Sequence, residues 1–205
     1  MHPDPAPTAF DIETLARALR AAEPLEGGLQ DGPPPGDVLG AWYRAEYAGV
    51  HRLCQGFLAS RAGADDVAQD AMLHLADKLE QWDPARPYAA WRNRVVLHLC
   101  RDRERAVRRR AQHEGALEPR SESELDPAEI AAANEATALV DQSLGVLRPR
   151  EREVFVLIDL EGFTAQDAAE QLGVAASTVR AALALARRRL RAALAPQLGM
   201  VEDVS

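Results

Sequence analysis

Residues 164–191 read TAQDAAEQLGVAASTVRAALALARRRLR, and the fold turns on this stretch. Thr164 followed three residues later by Asp167 has the form of a capping box, in which hydroxyl and carboxylate satisfy free N–H groups at a helix start. Ala168, Ala169 and Leu172 give a short helix its apolar face, and Gly173 supplies the left-handed residue on which such a helix ends. Past Val174, either Ala176 or Ser177 opens a longer helix that turns Val179, Leu183, Ala186 and Leu190 inward. A short helix, a glycine turn and a longer helix make a helix-turn-helix. Arg180, Arg187 and Arg191 fall with Ala184 on the opposite face, where guanidinium groups read guanine edges or clamp phosphates in a DNA major groove. The alternative is a solvated basic face on an ordinary packing helix.

N-terminal to this motif, the Ala-rich residues 128–144 predict a helix with Ile130, Leu139, Val140 and Leu144 as its apolar positions. Pro149 suits the first turn of the next helix, whose inner side is Val154, Phe155, Leu157, Ile158 and Leu160, and Glu161-Gly162 breaks it. A helical domain of residues 128–198 results, followed by a tail at 199–205. Residues 111–127, AQHEGALEPRSESELDP, have little to bury and read as an acidic, flexible linker. Residues 37–110 form another helical domain. Its first helix buries a stripe of Leu39, Trp42, Tyr43, Tyr47, Val50, Leu53, Cys54 and Phe57, and Gly63 ends that unit. Asp65 and Asp66 open a second helix with Val67, Ala71, Leu75, Leu79 and Trp82 inside, stopped by Asp83-Pro84. A third helix, from about Tyr88, carries Trp91, Val95, Val96 and Leu99 into an arginine-rich stretch. Residues 1–36 are a proline-rich extension, expected to be largely disordered. Within it Phe10, Ile12, Leu15, Ala16 and Leu19 mark one helical face, either transiently helical or a docking peptide.

Composition agrees with an all-α chain of two small domains. The hydrophobic share of 47% is too high for wholesale disorder, while an aromatic share of only 5% favours helices over sheets. A net charge of −8 argues against a polyanion as partner, but the charges are segregated. Nine arginines lie between Arg86 and Arg110 against only Asp102 and Glu104, whereas Glu114 to Asp141 holds eight acids against Arg120 alone. Local fields of this kind decide where nucleic acid binds. Cys54 and Cys100 stand far apart without metal-ligand spacing and read as buried thiols of a cytoplasmic protein. Neither a signal peptide nor a membrane span is expected. With no phosphate loop, metal cluster or nucleophile–base pair in view, an enzyme is not expected, nor a cofactor.

Residues 65–70, DDVAQD, and 83–110, DPARPYAAWRNRVVLHLCRDRERAVRRR, resemble conserved region 2 of sigma-70 factors of the extracytoplasmic-function (ECF) type. Residues 147–191, LRPREREVFVLIDLEGFTAQDAAEQLGVAASTVRAALALARRRLR, resemble region 4 of the same group, in family order and spacing. The resemblance implies a promoter-specificity subunit that binds the RNA polymerase core, recognises promoter DNA and melts it, with an anti-sigma factor as a further partner. It assigns Asp66, Gln69, Asp70, Leu73 and Asp77 to core-polymerase binding. It places Trp91, Arg94, His98, Arg101, Asp102, Arg105 and Arg108 at the minus-ten element, and Ser177, Thr178, Arg180, Ala181, Ala184, Arg187, Arg188 and Arg191 at the minus-thirty-five element. Where family members carry Lys-Ser-Arg-Leu-His-Arg, this chain has Arg180, Ala181, Ala182, Leu183, Ala184 and Leu185, and His98 replaces the usual Asn.

The residues agree with these assignments on independent grounds. Unstacked bases need aromatic and guanidinium planes to lie on, and phosphates need an arginine track. Trp91 fits such a platform and, at helical spacing from Val95, equally fits the core. The acidic linker is either a plain spacer or a nucleic-acid mimic within the polymerase. Lying across a basic block, it would weaken DNA binding by the free, monomeric protein. Two other functions remain compatible with the residues: a dimeric helix-turn-helix regulator that is not a polymerase subunit, and a helical interaction protein whose Ala181, Ala182 and Ala184 no longer read DNA.

Overall fold

The computed structural model describes residues 12–21, 38–58, 63–114 and 143–195, and its regular elements are all helical. We label them α1 (Ile12–Ala21), α2 (Val38–Leu58), α3 (Ala64–Asp77), α4 (Tyr88–Glu114), α5 (Pro149–Phe155), α6 (Ala165–Leu172) and α7 (Ala176–Leu194). The expected Ile130, Leu139 and Val140 face, most of the acidic linker and the C-terminal tail lie outside the described residues.

In the first unit α2, α3 and α4 pack on one another around Trp42, Val50, Leu53, Cys54, Met72, Leu75, Trp82, Val96 and Leu97, each at most 1% exposed. Truncating a buried aromatic such as Trp42 costs on the order of 3–5 kcal/mol, so this helix stripe is a main source of stability. Gly63, expected to end α2, instead stands just before α3 as its N-cap, and Asp65 and Asp66 occupy the first turn. The carboxylates there complement the positive end of the helix dipole. A 3-10 turn at Leu79–Gln81 leads to Asp83-Pro84, after which α4 runs on to Glu114, past the expected boundary at Arg110. Cys54 and Cys100 are buried free thiols, and the hydrogen bond between them raises the Cys100 pKa. Helix α1 is docked: Leu15 and Ala16 are buried at 1% and 0% exposure against the first unit.

In the second unit Pro149 sits in the first turn of α5 and Glu151 closes that turn by accepting from the Arg148 N–H at 3.0 Å. The helix then widens into a π turn at Val156–Leu160. An added residue per turn rotates the side chains that follow, which carries Val156 and Leu157 inward and leaves Leu160, expected inside, 55% exposed. Gly162 ends the segment with φ +76°. Thr164 and Asp167 form the capping box: the Asp167 N–H donates to Thr164 Oγ1 at 3.2 Å and the Thr164 N–H to Asp167 Oδ2 at 3.1 Å. Gly173 ends α6 at φ +67°, where a Cβ would be strained. Helix α7 starts at Ala176 and buries Val179, Ala182, Ala186 and Leu190.

The two units are not separate in this conformation. One continuous apolar cluster runs from Leu15 in α1 through α2, α3 and α4 to Val154, Val156, Ala168 and Val179. Gly56 allows the approach, since a Cβ there would meet Val156 Cγ2 at 3.0 Å.

Candidate nucleic-acid interface

The apolar stripe of α7 fixes which of its residues face out. Ser177, Thr178, Arg180, Ala181, Ala184, Arg187, Arg188 and Arg191 are all exposed, so every α7 residue assigned to the upstream element lies on the accessible side. Ala182 is buried at 8%, three residues from Val179 and four from Ala186, and is a packing residue rather than a lost DNA contact. Arg187 is held by Asp159, its Nε donating at 2.9 Å, and this bond raises the Arg187 pKa. Arg189, half-buried, turns to Glu151 at 3.3 Å.

Helix α4 divides its basic residues between two sides. Arg94, His98, Asp102, Arg105 and Arg108 are exposed. Arg105 bonds Asp102 at 2.7 Å and Arg108 bonds Glu104 at 3.4 Å, spacings of three and four residues that stabilise an exposed helix only slightly. Partial burial, with Arg101 and Arg94 nearby, lowers the His98 pKa and keeps the ring neutral further into the acid range. Trp91 is half-buried and meets Tyr88 at a centroid distance of 5.7 Å, so it serves the core while leaving part of its ring accessible.

Arg101, assigned to DNA, faces the second unit. Its Nε donates to Glu153 Oε1 at 2.6 Å and its Nη2 to Glu153 Oε2 at 2.8 Å, a two-point pairing that raises the Arg101 pKa. Four more contacts cross between the units. Arg92 Nη2 donates to Glu161 Oε2 at 2.8 Å, with buried Asn93 donating to the same oxygen at 3.3 Å. Arg152 is 7% exposed and donates from Nε to the Phe57 carbonyl at 2.8 Å and from Nη2 to Glu104 Oε1 at 2.7 Å. Arg92 also stands 3.6 Å from Glu46, a fully buried carboxylate whose oxygens lack a hydrogen-bond donor. Burial is the main cause of the raised Glu46 pKa, opposed by the Arg92 charge.

Arg92, Asn93, Arg152, Glu153 and Glu161 were not singled out from the sequence. For Arg152 and Glu153 the one visible signal is the run PREREVF, in which charges alternate inside a helix that also carries Val154 and Phe155. Four charged residues on so short a helix cannot all avoid the apolar side.

On α3, Asp66, Gln69, Asp70, Leu73 and Asp77 are exposed together, and Leu73 is 68% exposed in the middle of them. Leu73 is thus a single exposed apolar side chain among carboxylates, on a helix whose other side is packed. Asp66 lies 3.6 Å from Arg103, a loose surface pair.

Family models match this arrangement in two blocks, sigma-70 region 2 at residues 42–111 and sigma-70 region 4 at 137–190. The chain belongs to the sigma-70 family of RNA polymerase sigma factors. It is an ECF-type member: it is 33% identical over 150 residues to the ECF RNA polymerase sigma factor SigM of Mycobacterium tuberculosis, covering 72% of each chain. It is 35% identical over 151 residues to the RNA polymerase sigma factor CnrH of Cupriavidus metallidurans, covering 70% of this chain and 79% of that one. Among solved structures, CnrH in complex with the cytosolic domain of CnrY is similar with a TM-score of 0.60 and 25% identity, over 90% of this chain and 97% of that one. The sigma factor RpoE in complex with the anti-sigma factor NepR from Bartonella quintana shares the fold at a TM-score of 0.60 and 20% identity, over 77% of this chain and 97% of that one. Among the described residues no helix is long and apolar enough to cross a membrane, and no cluster of His, Cys, Asp and Glu could hold a metal ion.

Proposed function

We propose that this sigma factor cycles between the closed form described above and an open form in which its two units grip promoter DNA together. The face of α3 around Leu73 docks the polymerase core. Trp91, Arg94, His98, Arg101, Arg105 and Arg108 melt and hold the minus-ten element, and the exposed arginines of α7 anchor the minus-thirty-five element. No covalent chemistry is performed, and the protein acts in the cytoplasm as a monomer until polymerase takes it up.

One observation carries this order of events: Leu73 and its neighbours are free in the closed form, whereas Arg101 is bonded to Glu153. Polymerase can therefore dock before the DNA surface of α4 is complete. Elements about 25 base pairs apart lie roughly 80 Å apart along B-DNA. Helix α4, at 27 residues, spans only about 40 Å. Units sharing one core cannot reach both elements, so the Arg101–Glu153 and Arg92–Glu161 pairs have to break. CnrH is solved in complex with the cytosolic domain of CnrY, and RpoE with the anti-sigma factor NepR, which supports an anti-sigma partner for this chain too.

Gel-shift titration tests the proposal together with transcription from a library of promoter fragments by purified core polymerase. Holoenzyme is expected to bind an active promoter at least tenfold more tightly than free protein. Equal affinity of the two, or no initiation on any fragment, overturns it.

A further inference from the structure

Helix α1 lies outside the residues matched to region 2, which begin at Trp42, yet it is built into that unit. Leu15 and Ala16 are buried, and Ile12 and Leu19 are partly buried beside them. Its neighbours are α2 and the 3-10 turn at Leu79–Gln81, so it sits where the chain leaves α3 to begin α4. Arg17, 53% exposed, reaches across that connection. Its Nη2 donates to the Pro84 carbonyl at 3.2 Å, its guanidinium carbon lies 5.7 Å from the centre of the Trp82 ring, and Glu13, one turn earlier, aligns it at 2.7 Å.

The loop it holds leads directly to the promoter-opening helix. Trp82 is buried and donates its indole N–H to the Arg86 carbonyl at 3.0 Å, and the Ala85 N–H donates to Asp83 Oδ1 at 3.0 Å. The Trp82 ring meets Tyr88 edge-on at 5.3 Å, and Tyr88 meets Trp91 at 5.7 Å. Arg17, Trp82, Tyr88 and Trp91 thus form one packed series from the N-terminal extension to the assigned base platform. Each ring in it contacts the one before, and Tyr88 also accepts from the Trp42 indole N–H at 3.2 Å. A backbone carbonyl held by a charged donor and a ring covered by a cation both resist displacement of the loop.

We propose that Arg17 is a positioning residue for promoter opening: through the Trp82–Pro87 loop it sets the placement of Trp91, and α1 is therefore a working part of the melting surface. The inference rests on the reading of Trp91 as a platform for unstacked bases. It assigns α1 no part in polymerase docking, since the α3 face around Leu73 belongs to residues that α1 does not cover.

The test uses full-length protein reconstituted with core polymerase, as wild type, Arg17→Ala and Arg17→Lys. The probe is the fluorescent single non-template strand of a fragment on which wild-type holoenzyme initiates. Losing one charge-assisted hydrogen bond and one cation–π contact is expected to weaken strand binding by Arg17→Ala holoenzyme about fivefold. Lysine keeps the charge and a donor and should restore most of it. Affinity for core should stay within experimental error and the thermal midpoint of the free protein should fall by no more than a few degrees, so that the functional loss lies in strand binding, which a merely structural role would not select. Wild-type strand binding by Arg17→Ala, or an equal loss of core affinity, overturns the positioning role and leaves the sigma assignment standing. Wild-type holoenzyme that takes up no single strand overturns the reading of Trp91 as a base platform, and the positioning role with it.

Discussion

Helices α4 and α7 carry similar arginine runs, but the structure treats them differently. On α7 the arginines at 180, 188 and 191 face solvent, while Arg187 and Arg189 are bonded back to their own unit through Asp159 and Glu151. On α4 the inner arginines are committed across the molecule, Arg101 to Glu153 and Arg92 to Glu161. A basic helix is thus an open nucleic-acid surface only where no carboxylate has been folded against it. The acids that close α4 lie 52 and 69 residues further along the chain, so local charge cannot reveal them.

The sharpest way to break that contrast is to remove the acid that closes α4. Taking one partner from this part-buried, two-point pair costs about 1.5–3 kcal/mol and weakens the closed state. Glu153→Gln should therefore raise the affinity of the free protein for single-stranded DNA about tenfold, read by fluorescence anisotropy, and lower its thermal midpoint. An unchanged DNA affinity would mean that this pair does not mask Arg101.

A smaller effect is expected on α7, where nothing has to open first. Arg180→Ala should weaken holoenzyme binding to duplex promoter by about 1 kcal/mol, roughly fivefold, and reduce the dependence of log K on log salt by about one ion. Arg187→Ala should cost less, because Asp159 already competes for that guanidinium. Salt titration of both variants separates the two arginines. Identical losses would show that the Asp159 bond does not persist on DNA.

The smallest effect concerns Glu46, beneath the Arg92–Glu161 contact. Burial raises its pKa above the ordinary 4.5, so the native state holds a proton there more tightly than the unfolded chain. Its contribution is fully present below 4.5 and is lost as pH rises through the higher folded value. Glu46→Gln should accordingly gain on wild type between pH 4.5 and 7, by a few degrees in thermal midpoint. A difference that does not vary with pH would show that Arg92 neutralises the carboxylate completely.

The helix-turn-helix was legible because each of its signals is local: the Thr164–Asp167 box, the left-handed Gly173 and the three- and four-residue spacing of Val179, Ala182 and Ala186 all act within a turn or two. The exposed face of α3 and the α2 stripe from Trp42 to Phe57 were legible for the same reason, but Leu39 and Tyr43, placed in that stripe, are 54% and 40% exposed. Leu160 was misplaced because a π turn breaks the 3.6-residue period that the reading assumed. Ala182 was counted among contact positions by alignment to a family pattern, whereas its own spacing from Val179 places it inside. Docking of α1 and the pairing of α4 with α5 depend on contacts between residues 48 to 95 positions apart, such as Arg152 with Glu104 and with the Phe57 carbonyl. No periodicity carries that information.

The central claim, that the units must part for the factor to work, is tested most directly by an interunit distance. With Cys54 and Cys100 replaced by alanine, spin labels at the exposed positions Glu80→Cys and Gln166→Cys report on the first and second units. One short distance is predicted for the free protein, replaced by a much longer one when core polymerase is added, before any DNA is present. A distance unchanged by polymerase, in a preparation that still initiates transcription, would contradict the account.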